Sequence, residues 1–554
     1  MILKLPRLFL LLLGAVLVIN LIQAHLTPLI FDESYYWYYA QNMSWGYFDH
    51  PPMVAGLIKL GSLIFDGELG LRLFSCLMAI GTPILLWDCI TAREKAQYIP
   101  HFFVLLFSMT LIHAYGFLML PDTPLLFFTA LFLWIYKKFL SNASVAITIA
   151  LGLTMAALMY SKYHAVLVIL FVLLSNLRLV LNPRAWLAVL VALATYSPHI
   201  FWLYENDFVP VKYHLFERPN RAYEFGDFTL GYFVNLIVLF GLTFPWIYLA
   251  LFRSKTKDLF TRALVFLSYG VLLFFLVSSM QRRVQTQWLI VVCIPMALLV
   301  FNWMLHHHKA RKWILRMGVL NIIILLYLRI GLVHAPLFPV IYETHGNKEW
   351  VKELQEKAGD ASVIFENSYR NASMFGFYSG TPSFTLNNIM FRKNQYSIDD
   401  SEQSFQGKKV AYISRYRKSG DFSYQNAKGT TYYGVFIENF ESYRRLESIV
   451  DPGGDFTLDH EIPLKVFNPY DEDIPLHKIR FGITYLNSYK QVGQTSPINV
   501  KKLQKDEQVL KARDTTYFVF KRPAPKSPDV RYFKITLSEN GLYWGLNGNN
   551  VKIE

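Results

Sequence analysis

DESYYWYYAQNMSWGYFDHPP, residues Asp32–Pro52, follows directly on the first long apolar run of the chain. Its twenty-one positions hold three acidic residues (Asp32, Glu33 and Asp49), His50 and eight aromatic rings. Carboxylates at a membrane boundary are costly, and a cluster of them is usually functional. A carboxylate can serve as a general base, and aromatic rings suit stacking on a sugar or a seat at the lipid headgroup level. The plainer reading is an interfacial belt with solvated acids, and the rest of the chain decides between the two.

Hydrophobic residues make up 53% of the 554, aromatics 16% and charged residues only 17%, which places the chain in the membrane class. The long apolar runs are confined to residues 1–335. A window of about 20 residues predicts spans near 8–30, 70–90, 100–119, 124–140, 143–160, 164–181, 186–203, 230–252, 263–281, 286–304 and 313–333, about eleven helices. Basic residues fall in alternate loops: Lys4 and Arg7, Arg93 and Lys95, Lys137 and Lys138, Arg178 and Arg184, the run from Arg253 through Lys257 to Arg262, and Lys309 to Arg316. The positive-inside rule makes that side cytoplasmic. An odd number of spans then puts Asp32–Pro52 and the C-terminal region, to Glu554, outside, in the periplasm of a bacterium. The net charge of +14 thus reflects topology and anionic lipids, and no nucleic-acid partner is expected. Residues 1–30 read as an uncleaved first helix, since no small-residue cleavage site follows. Cys76, Cys89 and Cys293 all lie in predicted spans, with neither a disulfide framework nor metal-ligand spacing.

With the cytoplasmic charges set aside, a small set of polar residues remains on the external side. Asp122 lies in the turn LPDTP, Lys162 and Tyr163 in YSKYH, and Arg72 at the start of the second span; His199 lies in SPHIFWLYEND, and Arg282 and Arg283 before Trp288. A cation against the positive-inside trend needs a carboxylate or a phosphate as partner. Each residue also has a plainer role. Lys162 could snorkel to the headgroups, Asp122 could cap a helix, His50 could shape the turn before two prolines, and Arg282 and Arg283 could be interfacial.

DESYYW, GYFDHPP, PDTPL and SKYH, in that order and on one face, resemble the bacterial aminoarabinose-transferase and protein O-mannosyltransferase superfamily, the GT-C fold of glycosyltransferase families 83 and 39. The likeness covers roughly residues 1–335. It implies a polytopic helical membrane enzyme that takes a sugar from a polyprenyl-phosphate carrier, on the external face, and passes it to a lipid, glycan or protein acceptor with inversion. By that resemblance Asp32 and Glu33 are the catalytic pair. Asp49, His50, Asp122, Lys162, Tyr163, Arg72 and Arg283 are then expected to bind substrate, with Lys162 leading on the phosphate. No cofactor or metal is expected. The chemistry agrees: an attacking hydroxyl must lose a proton to a base, and the departing phosphate gains charge that a cation can meet. No residue announces which sugar is carried.

Residues 336–450 mix one clear helix, NKEWVKELQEKAG, with strands such as ASVIFE, KVAYIS and YYGVFIE, and predict an α/β domain. Within it NSYRNASMFGFYSG and MFRKNQYS, rich in aromatic, Asn and Arg residues, could line an acceptor-facing surface or be ordinary turns and helix faces. Residues 451–554 carry short alternating runs (LKVFNP, IRFGITYL, TYFVFKR, YFKITLS) that predict a β-sandwich-like domain. No glycine loop for a nucleotide is present, which argues against a soluble nucleotide-sugar donor. Rival readings are a transporter or flippase for lipid-linked sugars, or a glycan ligase. A transporter would carry its charges at mid-membrane and not at one face.

Overall fold

The structure is a computed structural model that describes residues 5–218, 220–256, 258–458, 460–503, 508–539 and 541–553; Lys4, Lys257 and Glu554 lie outside the described residues. The chain divides into two compact units. The first comprises Met1–Phe208 and Tyr223–His345, the second Val209–Ala222 and Gly346–Glu554. The expected boundary at 335 therefore falls ten residues later, and the segment between two apolar helices, Val209–Ala222, belongs with the C-terminal half.

The first unit is helical. Among the described residues eight helices are long and apolar enough to cross a membrane, from Arg7–Leu26 to His308–Val333. At 1.5 Å per residue, 20 residues reach about 30 Å, the thickness of a hydrocarbon core. Three further expected spans are shorter: Val145–Ser161, Ala165–Ser175, and a run broken into Ile99–Phe107 and Thr110–Ala114. The break is tolerated because the freed carbonyls find donors. His113 Nδ1 donates to the Phe107 carbonyl at 2.9 Å, and Asn321 Nδ2 to that of Ser108 at 2.6 Å. Thr286–Leu305 is the most buried of the eight and shares one apolar core with residues such as Leu133, Val168, Leu239 and Leu267. Arg329, buried in the last span, donates to Asn20 Oδ1 at 2.8 Å and to the His113 carbonyl, so it ties the first and last spans together.

The second unit opens with the expected helix, Asn347–Ala358. A five-stranded sheet follows: β1 (Ser362–Glu366), β2 (Ser383–Leu386), β3 (Val410–Ser414), β4 (Phe422–Gln425) and β5 (Thr431–Ile437), in spatial order β2-β1-β3-β5-β4. β1 runs parallel to β2 and β3, and the helix Tyr369–Ser379 connects β1 to β2. Residues of β3 are buried throughout, which is why its sequence reads as an unbroken apolar run. Two four-stranded sheets then pack over a shared core. One is built on Ile479–Asn487 and Val530–Glu539, the other on Ile462–Phe467 and Thr515–Phe520. Ile462–Phe467 buries every second residue, as a one-faced strand must. Glu447–Ile449 is an edge strand of the second of these sheets, so that module begins slightly before the expected position 451.

The two modules of this unit are joined by buried carboxylates. Glu402 accepts from Ser442 Oγ at 2.6 Å, from the Arg444 backbone amide at 3.0 Å and from the Tyr470 hydroxyl. Glu539 accepts from the Tyr443 backbone amide at 3.3 Å and pairs ionically with Arg444, whose Nε lies 3.2 Å from Oε1. Burial pushes both carboxyls above their ordinary value of 4.5, and the Glu402 charge adds to the rise at Glu539. An unfolded chain ionises these groups more readily than the folded one, so their contribution is full below the ordinary value and is lost as pH rises through the raised folded values. The expected result is lower thermal stability of the full chain in detergent at about pH 7.5 than at about pH 5, a difference that Glu402→Gln reduces. Equal melting curves for the two proteins across that range would contradict it.

Candidate active site

Helix geometry brings the first pair together. Asp122–Ser141 runs 20 residues, Asn142–Ser144 turns the chain, and Val145–Ser161 returns antiparallel to it. Residues 122 and 162, forty apart in sequence, therefore arrive at the same end of the bundle. Asp122 opens its helix and Lys162 follows the last residue of the other, so each charge suits the helix end it sits on. Lys162 Nζ donates to Asp122 Oδ1 at 2.7 Å, and both side chains are buried. One of the three ammonium hydrogens is spent on Asp122, which holds the cation in place while leaving donors for an anion.

Asp32 lies in the first turn of a second short helix, Phe31–Gln41, and is half-buried. Tyr115 lies within Coulomb reach of both Asp32 and Asp122, which places the two carboxylates around one phenol. Tyr115 also lines a small, mainly apolar cavity of about 20 Å³ together with Met78, Thr82, Pro83, Thr123 and Leu126.

Glu33, one residue on, points into a different environment. Its Oε1 accepts from Arg72 Nε at 2.8 Å and from the Met119 amide at 2.9 Å; its Oε2 accepts from Arg72 Nη2 at 2.5 Å and from the Ile30 amide at 3.3 Å. Arg72 spends its remaining hydrogens on the carbonyls of Ala24, Thr27 and Pro28. All five guanidinium N–H groups are thus satisfied, and neither side chain has any solvent exposure. Glu33, expected in the catalytic pair, and Arg72, expected among the substrate ligands in support of Lys162, pair with each other as a clamp that fixes the turn before the helix Phe31–Gln41 and so positions Asp32.

The rest of the Asp32–Pro52 stretch folds around Asp49. Tyr39 donates to Asp49 Oδ1 at 2.6 Å, and its ring stacks on Tyr47 with centroids 4.2 Å apart. Burial, and then the Asp49 charge beside it, pushes the Tyr39 phenol well above its ordinary value, so it remains a donor. Tyr163 lies within Coulomb reach of Asp49, and its hydroxyl is 3.3 Å from His199 Nε2. His199 Nδ1 donates to the Trp45 carbonyl at 2.6 Å, which leaves Nε2 to accept from Tyr163. His50 packs edge-on against Tyr36 at 5.4 Å, and its carbonyl closes the turn from Tyr47. Asp32, Asp122 and Lys162 thus group at neighbouring helix ends around Tyr115, and Asp49, His50 and Tyr163 group around Tyr36 and Tyr39, on the helix that Asp32 opens. Arg283 does not: it is exposed, in the segment between Leu259–Ser278 and Thr286–Leu305. Tyr39 and Tyr115 were not singled out by sequence, because among 34 tyrosines nothing local marks those that meet a carboxylate.

Residues 49–202, which hold Asp49, Asp122, Lys162 and Tyr163, match the family model described as dolichyl-phosphate-mannose-protein mannosyltransferase. The lipid A galacturonosyltransferase RgtD of Rhizobium johnstonii is 24% identical over 303 residues. That match takes in 50% of this chain and 61% of RgtD, less than two thirds of the relative's length. In structure, ArnT from Cupriavidus metallidurans in the apo state superposes with a TM-score of 0.58 at 14% identity, over 77% of this chain and 97% of ArnT. The same protein bound to undecaprenyl phosphate gives 0.55 over the same shares. With its helical bundle, its helix-end carboxylates and its sheet-rich C-terminal unit, the chain is a polytopic membrane protein of the GT-C fold.

Proposed function

We propose that this chain is a glycosyltransferase that moves a sugar from a polyprenyl-phosphate carrier to an acceptor hydroxyl or phosphate, on a lipid in preference to a glycan or a protein. The observation that carries the reading is the buried Asp122–Lys162 pair, at helix ends within the region that matches the mannosyltransferase model, with Asp122 and Asp32 both in reach of Tyr115. ArnT binds undecaprenyl phosphate, and RgtD acts on lipid A, which supports a polyprenyl-phosphate donor and a lipid acceptor here.

In this reading Asp32 accepts the proton of the attacking oxygen. The new bond forms at the anomeric carbon while the bond to the carrier phosphate breaks. Its electron pair leaves on the phosphate, where Lys162 meets the charge. A single displacement inverts the anomeric centre. Lys162 supplies the cation, so we infer that no metal is needed. The test is release of polyprenyl phosphate from candidate polyprenyl-phosphate sugars by the purified protein in EDTA-containing buffer. No release with any donor sinks the proposal; release only after a divalent ion is restored sinks its metal-free form.

Asp32→Asn keeps the shape of the side chain and removes proton acceptance. Turnover is expected to fall by about 10²–10⁴-fold with donor affinity kept. Near-normal turnover would move the base role to Asp49. The site and the C-terminal unit are proposed to face the periplasm of a bacterial inner membrane, with the N-terminus cytoplasmic, because the basic loops lie on the other side. A cysteine placed at Ser379 in the C-terminal unit is expected to react with a membrane-impermeant thiol reagent in cells whose outer membrane admits it. Protection until the inner membrane is lysed would reverse the topology.

A further inference from the structure

The C-terminal unit carries a concentration of cations that the transfer chemistry does not use. Tyr532 and Lys534 alternate onto one face of the strand Val530–Glu539. Lys490, in the turn after Ile479–Asn487, sits 5.9 Å over the Tyr532 ring, and its Nζ donates to the Phe216 carbonyl. The segment Val209–Ala222 is held to that turn by two more bonds, Gln491 Nε2 to the Asn220 carbonyl at 3.1 Å and the Asn220 amide to the Tyr489 carbonyl at 3.2 Å. Lys393 lies within Coulomb reach of Lys534, as does Lys490. Next to Lys393, Arg392 is gripped by the hydroxyls of Tyr213 and Tyr369 at 3.0 and 2.9 Å, with the two rings 5.3 and 5.1 Å away.

The charges do not balance. The carboxylate in reach of Lys534 is the exposed Glu217, set against Lys393 and Lys490. Burial, and then the neighbouring Lys393 and Lys490 charges, lowers the Lys534 amine to about 8. Like charges held together on a rigid sheet repel, and an anion placed among them relieves that repulsion while gaining charge-assisted hydrogen bonds. Ammonium groups are compact point charges suited to phosphate oxygens, and a tyrosine ring beside them offers a flat face to a sugar.

We propose that the face formed by Lys393, Lys490, Lys534 and Tyr532 binds the phosphate-bearing saccharide headgroup of a lipid. Naming a lipid as its source rests on the transferase reading, in which a lipid acceptor must be held; binding itself is measured without turnover. The full-length protein in detergent is titrated with a bisphosphorylated disaccharide lipid, with the same lipid after removal of its phosphates, and with inorganic phosphate. The phosphorylated lipid is expected to bind at least tenfold tighter than either of the others. Lys534→Gln and the exposed Lys393→Gln are each expected to weaken it by roughly tenfold, the loss of one charged hydrogen bond. Relief of crowding should leave the melting temperature of Lys534→Gln unchanged or raised, and Lys393→Gln, on the surface, serves if that variant does not fold.

Equal affinity for the phosphorylated and dephosphorylated lipids overturns the proposal, as does undiminished binding by Lys393→Gln and Lys534→Gln. Inorganic phosphate that binds as tightly as the phosphorylated lipid would make this a free-anion site and overturn the lipid assignment. Phosphate-dependent lipid binding that both variants lose, in a protein that releases no polyprenyl phosphate, would uphold this site and sink the transferase reading.

Discussion

Arg72→Ala is expected to cost the protein about 3–5 kcal/mol, the penalty for leaving a buried carboxylate without its cation. Against a typical stability of about 5–15 kcal/mol, that loss is a large fraction of the total. Both partners are fully buried, so solvent offers no relief. Five hydrogen bonds go with the side chain, three of them donated to the backbone carbonyls of Ala24, Thr27 and Pro28. The double variant Arg72→Met/Glu33→Leu removes both charges and is expected to fall short of the summed losses of Arg72→Met and Glu33→Leu alone, with a coupling of about 1–3 kcal/mol. Thermal unfolding of the four proteins in detergent measures this. The same set separates two roles for Glu33: as a clamp, Glu33→Gln lowers the folded yield while turnover per folded molecule changes less than about tenfold. A folded Glu33→Gln that has lost turnover by 10²-fold or more would return the catalytic role to this residue.

Lys162→Ala is expected to lower turnover by about 10²–10³-fold and to weaken donor binding as well, because the phosphate charge exists in the bound donor and grows as it leaves. The substitution also strands Asp122, which is 4% exposed, so some loss of stability accompanies it. Asp122→Asn/Lys162→Ala distinguishes the two effects: it removes the stranded charge and is expected to recover stability without recovering turnover. Steady-state kinetics with a defined donor, read beside unfolding curves, checks both. A Lys162→Ala protein with unchanged donor affinity would pass the phosphate role to another cation, with exposed Arg283 the next to test.

Much of the fold was legible in the sequence because its signals are local. Hydropathy over about 20 residues locates a span without knowledge of its neighbours, and period-two alternation locates strands such as Ile462–Phe467 and Ile479–Asn487 in the same way. The three short or broken apolar helices blurred the count, since continuity there depends on partners such as Asn321 from another span. The domain boundary was shifted for the same reason: Val209–Ala222 carries no mark of its own and is claimed by the C-terminal unit through contacts such as Arg392 to Tyr213.

The candidate site divides along the same line. By itself the sequence determined which residue types stand at the helix ends, because acids and cations that interrupt apolar runs are costly and visible there. Asp32, Asp49, Asp122 and Lys162 could all be named from that rule. What it could not determine was who pairs with whom. Glu33 and Asp32 are adjacent and chemically alike, yet on a helix they point about 100° apart, and tertiary packing gave one to Arg72 and left the other beside Tyr115. Arg72 and Lys162 are both cations out of place by the positive-inside rule, and only the packed bundle made one a sealed clamp and the other a cation with donors to spare. Charge content is written residue by residue; the low-dielectric contacts that turn a charge into a brace or a catalyst exist only once distant helices have met.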